Sequence, residues 1–376
     1  MFKHVLVTGG AGFIGSHLVD ALLERGYRVR VFDCLEPQVH GAVDAPPDYL
    51  TREAEFIRGD VRDRAALLKA LEGIDAVVHD AAQVGVGQSQ YEIQRYIDHN
   101  VGGTATLLDI LVNEKTSVER LLMASSMSIY GEGLYRRPSD GALRTPALRT
   151  EEQLKAGAFD PLDPETGEAL EPVPTPESKP LYCTSVYAQS KKDQEEYSLI
   201  LARAYRIPCV AARYFNVYGS RQSLSNPYTG AAAIFSSRVK NGNRPLIYED
   251  GAQCRDFIDV RDLVRAKIHL LEDPRANHEP VNIGTGRPTT IYDLAYTIAK
   301  LYGRADLEPE VTRRYRNGDI RHCYADTSRL RALGFEPAIS LEQGLRDLAA
   351  WGETQEARDQ VAQADAELRK RGLVSA

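Results

Sequence analysis

The chain has 376 residues, 43% of them apolar, enough for two domains or for one domain with a large elaboration around a substantial core. Its 53 acidic against 46 basic side chains give a net charge of −7, which argues against a nucleic-acid or anionic-membrane surface and leaves room only for a local basic pocket. Five dispersed cysteines with no Cys-x-x-Cys pair exclude a cysteine zinc knuckle and fit a reducing compartment. No apolar run approaches the ~18 residues of a membrane span, and a strand begins within a few residues of Met1, so the expected location is the cytoplasm.

The first strand-like run, Val5 to Val7, enters a turn with glycines at Gly9, Gly12 and Gly15, and an apolar-periodic helix follows. In that spacing the first glycine permits a tight turn, the second lets backbone approach a pyrophosphate, and the third lets helix pack on strand. A second run, Tyr27 to Phe32, ends in Asp33, at the distance expected of a carboxylate that binds the adenosine ribose. An acid there would repel a 2′-phosphate, so the expected cofactor is NAD rather than NADP. Further runs at Ala54 to Arg58, Ala76 to His79 and Arg120 to Ala124 alternate with helix-length segments, the pattern of a parallel sheet covered on both faces. The polar or small clusters that end them, among them Ala81 and Ala82, are expected to line one crevice at the carboxyl edge.

Residues 132–180 break this rhythm with eight prolines and only one short helical candidate, Thr150 to Lys155, and read as an inserted loop. A helical pattern returns from Ser185 to Tyr205, and a strand follows at Cys209 to Arg213. A smaller mixed domain then includes a helix from Ala231 to Asn241, a strand at Val281 to Ile283 and a helix from Ile291 to Leu301. Residues 352–376 read as a charged helical tail facing solvent or a partner. The expected fold class is α/β. A Rossmann-type doubly wound sheet spans 1–215, a smaller mixed α/β substrate domain spans most of 216–351, and some of the latter's segments return to the first domain.

Ser185-Val186-Tyr187-Ala188-Gln189-Ser190-Lys191 places Tyr187 and Lys191 one helical turn apart on one face. A phenol is a poor base at neutral pH, and an ammonium beside it, with a positively charged nicotinamide, brings it into range. Ser126, at the end of the fifth strand, would hydrogen-bond the reacting oxygen. Taken with the glycine turn, Gly59-Asp60-Val61, Asn100, Ile129-Tyr130-Gly131, Arg213-Tyr214-Phe215-Asn216 and Arg255-Asp256-Phe257, these residues resemble an extended short-chain dehydrogenase/reductase. The chain is similar to the NAD-dependent nucleotide-sugar epimerase/dehydratase family over roughly Lys3 to Trp351.

The resemblance implies that Ser126, Tyr187 and Lys191 are catalytic. It implies that Phe13, Ile14, Ala81, Ala82 and Phe215 lie on the cofactor, that Asp60 and Val61 contact adenine, and that Asn100 steadies the cofactor-binding loops. Val86 would line the substrate site, Asn216, Arg255 and Arg316 would hold the diphosphate, and Asp319 would bind a nucleoside ribose. The lesser reading of Arg255 is that it ties Asp256 or Asp259 into the domain interface, whereas Arg313 and Arg314 read as a solvated face. His79 and His322 read as packing or hydrogen-bonding residues rather than bases, and no grouping has metal-ligand spacing.

Dehydratases of the family carry an Asp-Glu pair where this chain has Met127 and Ser128, so 4-epimerisation is the expected reaction. The segments 84–89, 127–135 and 226–230 most resemble the subgroup that interconverts dTDP-L-rhamnose and dTDP-6-deoxy-L-talose; UDP-linked hexoses, or another reaction of the family, stay open. Relatives carry cysteine knuckles in the insertion, which this chain lacks. Cys323 falls where related enzymes limit sugar size, and Asp80 stands where the family has an apolar residue. Apolar faces on Val101 to Val112 and Ala188 to Ala204 either build a four-helix dimer interface, as in family members, or pack internally.

Overall fold

In the computed structural model, which describes residues 2–316 and 318–375, the alternating apolar runs form a parallel sheet of seven strands. Their order is 280–283, 209–214, 120–126, 76–79, 4–8, 28–33 and 55–58. His4–Thr8, Ala76–His79 and Arg120–Ser126 are buried at every residue, as strands covered on both faces must be. Helices Phe13–Glu24, Val260–Glu272 and Ser328–Ala332 cover one face, and Arg64–Ala70, Gly103–Asn113 and Val186–Tyr205 the other. Strand order reverses between 4–8 and 76–79, so a crevice opens at the carboxyl ends there.

The chain crosses between its two lobes more than once. The strand Pro280–Ile283, expected in the smaller domain, pairs with Cys209–Tyr214 and forms one edge of the main sheet. Helices 260–272 and 328–332 pack on that sheet as well, through Leu263, Ile268, Leu271 and Leu330. What remains is a small sheet of Asn216–Tyr218, Cys254–Asp259, Pro288–Thr290 and His322–Cys323. It is covered by Ala231–Lys240, Ile291–Leu301 and Leu341–Glu353 around Phe235, Phe257, Leu294, Ile298 and Leu348.

The insertion is ordered by buried charge pairs together with a small apolar cluster of Leu154 and Phe159 against Tyr315. Three short strands, Leu134–Arg136, Leu143–Arg144 and Glu171–Val173, form its sheet, and Thr150 caps the helix Glu151–Lys155 through the Gln153 amide. The buried Asp163 carboxylate pairs with Arg144 at 2.8 Å and Arg137 at 3.4 Å. Arg149 reaches across to Glu249 at 2.8 Å, and Arg321 bonds Glu249 and Asp160 at 3.0 and 2.8 Å, which docks the insertion on the smaller lobe. Among the described residues no His/Cys/Asp/Glu group has the arrangement of a metal site.

Two buried polar groups lie beneath the crevice. His79 bonds the hydroxyls of Thr8 and Thr104 at 2.8 and 3.1 Å, and burial pushes its pKa from 6.5 down to about 3. Asp80 accepts a hydrogen bond from Tyr214 at 3.1 Å and another from the ammonium of Lys267, whose side chain is wholly buried on helix 260–272. A cation there requires an anion, because an unpaired charge in the interior is far costlier than a paired one. Asp80 departs from the apolar pattern because it supplies that anion.

Two outcomes are expected. Between pH 6.5 and 3 the unfolded chain binds a proton at His79 that the folded chain does not, so stability falls as pH drops, by up to about 1.4 kcal/mol per pH unit from this group. Denaturant titrations of His79→Gln should show a pH slope shallower by one proton in that window; an unchanged slope contradicts the assignment. Lys267→Met should destabilise by about 3–5 kcal/mol through the orphaned Asp80 carboxylate, and adding Asp80→Leu should recover most of that loss. Equal losses in the single and double variants would deny the pairing.

Candidate active site

The crevice continues as one cleft from the glycine turn, past Ser126 and Tyr187, to Tyr248 and Arg316 on the smaller lobe. At its first limb Gly9 has φ +70°, and a Cβ there would lie 2.9 Å from the Ala81 amide nitrogen. A Cβ on Gly15 would lie 2.2 Å from the Gly9 carbonyl, whereas one on Gly12 would meet only that carbonyl, at 3.3 Å. The turn is therefore closed behind and open toward the cleft. The first-turn amides of Phe13, Ile14 and Gly15 lack intrahelical acceptors and form a cradle that fits a pyrophosphate. Asp33 accepts hydrogen bonds from the amides of Ala11 and Leu35 at 3.0 and 2.8 Å, which fixes the turn against the strand end and leaves carboxylate lone pairs for a ribose.

Val61, Ala81, Ala82 and Phe215 line this limb, and so does Asp60, whose carboxylate is held by Arg62 at 2.9 and 2.6 Å and lies below the usual carboxylate range for that reason. Asn100, counted among the cofactor-binding residues, is fully buried behind the surface. Its amide accepts from Gln83 N at 2.7 Å and donates to Gln83 O and Ser190 Oγ at 3.1 and 2.9 Å, so it ties the 81–85 loop to the helix that carries Tyr187.

That helix, Val186–Tyr205, starts where Ser185 turns its hydroxyl to the Ala188 amide at 3.0 Å. Tyr187 and Lys191 are buried on its cleft side. Burial pushes the phenol above its ordinary value, opposed by a hydrogen bond with Ser126. The Lys191 ammonium donates to Gln194 at 2.9 Å, and burial lowers its pKa to about 8, with Lys267 acting the same way and Asp80 opposing. Ser126 Oγ accepts from the Ser128 amide and hydroxyl at 3.2 and 2.9 Å. The adjacent Ser125 hydroxyl turns instead to Glu195 at 2.6 Å. Met127 and Ser128 both line the cleft, so no carboxylate stands at either position.

At the far limb Val86 borders the cleft, and the side-chain oxygen of Asn216 is buried with no hydrogen-bond partner among the described residues. Arg255 does not pair with Asp256 or Asp259: its guanidinium donates to the carbonyls of Cys254, Ile320 and Arg321 at 2.8 to 2.9 Å. It thus holds the 316–323 loop at the cleft edge. Asp256, fully buried, accepts from Thr285 N, Thr285 Oγ1, Gly286 N and Ala325 N, and is a structural knot. The guanidinium of Arg316 stacks 4.3 Å from the Tyr248 ring centre and lies 3.8 Å from the Asp319 carboxylate, and its Nε has no hydrogen-bond partner among the described residues. Asn317 of the same loop lies outside the described residues.

Three expectations are corrected here. Arg314, read as solvated, pairs with Asp365 at 2.9 Å with both side chains mostly covered. Cys323 is buried in a cluster with Met127, Tyr130, Phe215 and Ala325, of which Met127 and Phe215, and not Cys323 itself, line the cleft. The tail is not a solvent-facing appendage: its helix Val361–Lys370 folds back on the chain, and Val361, Ala364, Asp365 and Leu368 line the cleft. The polar composition of that helix hid its packed face, because a strip of three apolar positions is a weak signal. Tyr248 carried no motif at all, whereas Glu195, one turn beyond Lys191, was within reach of the same helical spacing.

A model of the NAD dependent epimerase/dehydratase family matches residues 5–156 and 163–284. The dTDP-L-rhamnose 4-epimerase of Burkholderia thailandensis is 37% identical over 93% of this chain and 94% of its own length. The crystal structure of a UDP-glucose 4-epimerase from Thermotoga maritima with UDP-glucose superposes with a TM-score of 0.74 at 31% identity, covering 93% of this chain and 99% of that one. The Thermus thermophilus UDP-glucose 4-epimerase complex with NAD gives 0.72 at 28% identity, over 94% and 100% of the two chains. With the glycine cradle, the Asp33 carboxylate and the Ser126, Tyr187 and Lys191 cluster on one cleft, these likenesses establish that the chain belongs to the NAD dependent epimerase/dehydratase family.

Proposed function

We propose that this protein is an NAD-dependent nucleotide-sugar 4-epimerase that interconverts dTDP-L-rhamnose and dTDP-6-deoxy-L-talose. The observation that carries the reaction is the cleft beside Ser126 and Tyr187, where Met127 and Ser128 offer no acid and base for dehydration. The 37% identity to a dTDP-L-rhamnose 4-epimerase favours that sugar pair, and the likeness to a UDP-glucose-bound epimerase favours a UDP-hexose as the second reading.

Held by the glycine cradle and Asp33, NAD would supply a reversible hydride acceptor for C4 of the sugar. Tyr187 takes the C4 hydroxyl proton, and Ser126, hydrogen-bonded to the phenol, steadies the same oxygen. Burial alone raises the phenol, so the positive charge of Lys191 is needed to bring it down. Arg316 and Asn216 hold the diphosphate, with Asp319 on the nucleoside ribose, while the 4-keto sugar turns to present its other face. Tyr187 then gives the proton back to the new C4 oxygen, so acid and base are one residue in both directions.

The same reading makes the protein a cytoplasmic homodimer, in keeping with five free cysteines. The face that supports a second copy is formed by Ile93, Ile97, Tyr197, Ile200 and Tyr205, all 46% exposed or more. Helix Gly103–Asn113 spends Leu107, Leu108, Ile110 and Leu111 on the chain's own core.

The test is NMR product analysis after incubating purified protein, without added cofactor, with dTDP-L-rhamnose, UDP-glucose, UDP-N-acetylglucosamine and UDP-glucuronate in turn. The expected result is the C4 epimer of dTDP-L-rhamnose, with Tyr187→Phe retaining NAD but losing at least about 100-fold in kcat. Conversion of a UDP-sugar alone would transfer the assignment to it, and conversion of none would overturn the epimerase reading.

A further inference from the structure

The segment after Glu356 is fastened to the smaller lobe at three places. Asp359 accepts from Arg238 at 3.1 Å and Asn243 at 2.7 Å. Asp365 pairs with Arg314 at 2.9 Å and accepts a hydrogen bond from the Tyr248 hydroxyl. Beyond the helix, Val374 bridges Arg316 through the backbone, the Ser375 amide donates to the Tyr315 carbonyl at 2.9 Å, and the Tyr315 amide donates to the Ser375 hydroxyl at 3.0 Å. On the opposite wall Leu368 packs on Gly87, where a Cβ would lie 3.4 Å from its methyl, and the Arg371 guanidinium stacks 4.3 Å from the Tyr91 ring centre. The segment therefore spans the cleft from residues 312–316 to the helix Val86–Ser89 and Tyr91 just beyond it.

Its helix presents Val361, Ala364 and Leu368, spaced three and four apart, on one face, and these with Asp365 line the cleft beside Tyr248 and Arg316. An apolar strip next to a stacked arginine suits a flat base followed by a diphosphate. We propose that residues 357–375 are the outer wall of the nucleoside compartment: Val361, Ala364 and Leu368 contact the base, and Asp365 is a positioning residue that holds Tyr248 and Arg314 so that Arg316 meets the diphosphate. This rests on the nucleotide-sugar reading above. It also makes the tail, rather than the sheet edge alone, a determinant of which nucleotide the enzyme accepts.

The test is calorimetric titration of the full-length, NAD-loaded protein with UDP and dTDP, repeated for Leu368→Ala, Asp365→Asn and a chain ending at Glu356, with NAD content and Tm measured alongside. Both point variants should bind the preferred diphosphate about tenfold more weakly, a loss of ~1.4 kcal/mol, at unchanged NAD content. In turnover KM should rise with kcat held within about threefold, since the reacting atoms are untouched. Wild type that binds neither diphosphate would sink the nucleotide-sugar reading itself. Wild type that binds one, with both point variants within about twofold of it, or weakened only in step with lost NAD or Tm, would overturn the role given to the tail.

Discussion

The catalytic face depends on one buried ion pair. Arg213, on the strand Cys209–Tyr214, meets Glu195, on the helix Val186–Tyr205, through Nε at 3.2 and 3.0 Å and through Nη2 at 2.5 Å, with both side chains almost wholly covered. Glu195 also accepts the Ser125 hydroxyl, and Arg213 also donates to Tyr130 at 2.8 Å, whose own hydroxyl donates to Asn282 at 2.6 Å. One pair thus fixes the rotation of the helix bearing Tyr187 and Lys191 against the strand bearing Ser126. A pair so deep is costly to desolvate and strongly destabilising to break, so it suits registration better than net stability.

The electrostatics around Lys191 follow from the same economy of charge. Two buried ammonium groups, Lys191 and Lys267, share the neighbourhood of one carboxylate, Asp80. Burial weakens the protonated state of both, and Asp80 opposes that weakening in each. The carboxylate that breaks the apolar pattern of the fourth strand's exit therefore favours the charged form of the ammonium one turn from Tyr187 on the same helix. On the other limb of the cleft the charges are arranged differently: Arg255 is spent on backbone carbonyls, while Arg316, stacked on Tyr248, keeps a nitrogen without a hydrogen-bond partner among the described residues.

Much of this was legible because it is local. The glycine spacing, the strand ends at Asp33, Asp80 and Ser126, and the four-residue interval between Tyr187 and Lys191 are properties of short stretches. So are the bounds of the strand Ala76–His79 and of the helix Ile291–Leu301. What was not legible depends on long-range pairing. No local pattern says that the strand at 280–283 joins the sheet of the first lobe, that Lys267 answers Asp80 across 187 positions, or that Asp365 answers Arg314. Cys323 shows the converse: a position read by analogy as facing the sugar is turned into a packed cluster.

In the proposed reaction hydride leaves and returns to the same carbon within one cleft. Its most direct test is turnover of dTDP-L-rhamnose carrying deuterium at C4, in ordinary water with no added cofactor, followed by NMR and mass analysis of both epimers at equilibrium. The account predicts that deuterium stays at C4 in both epimers, with no net gain of reduced cofactor. Loss of the label to water, or product formed only when cofactor is supplied in equal amount, would contradict it.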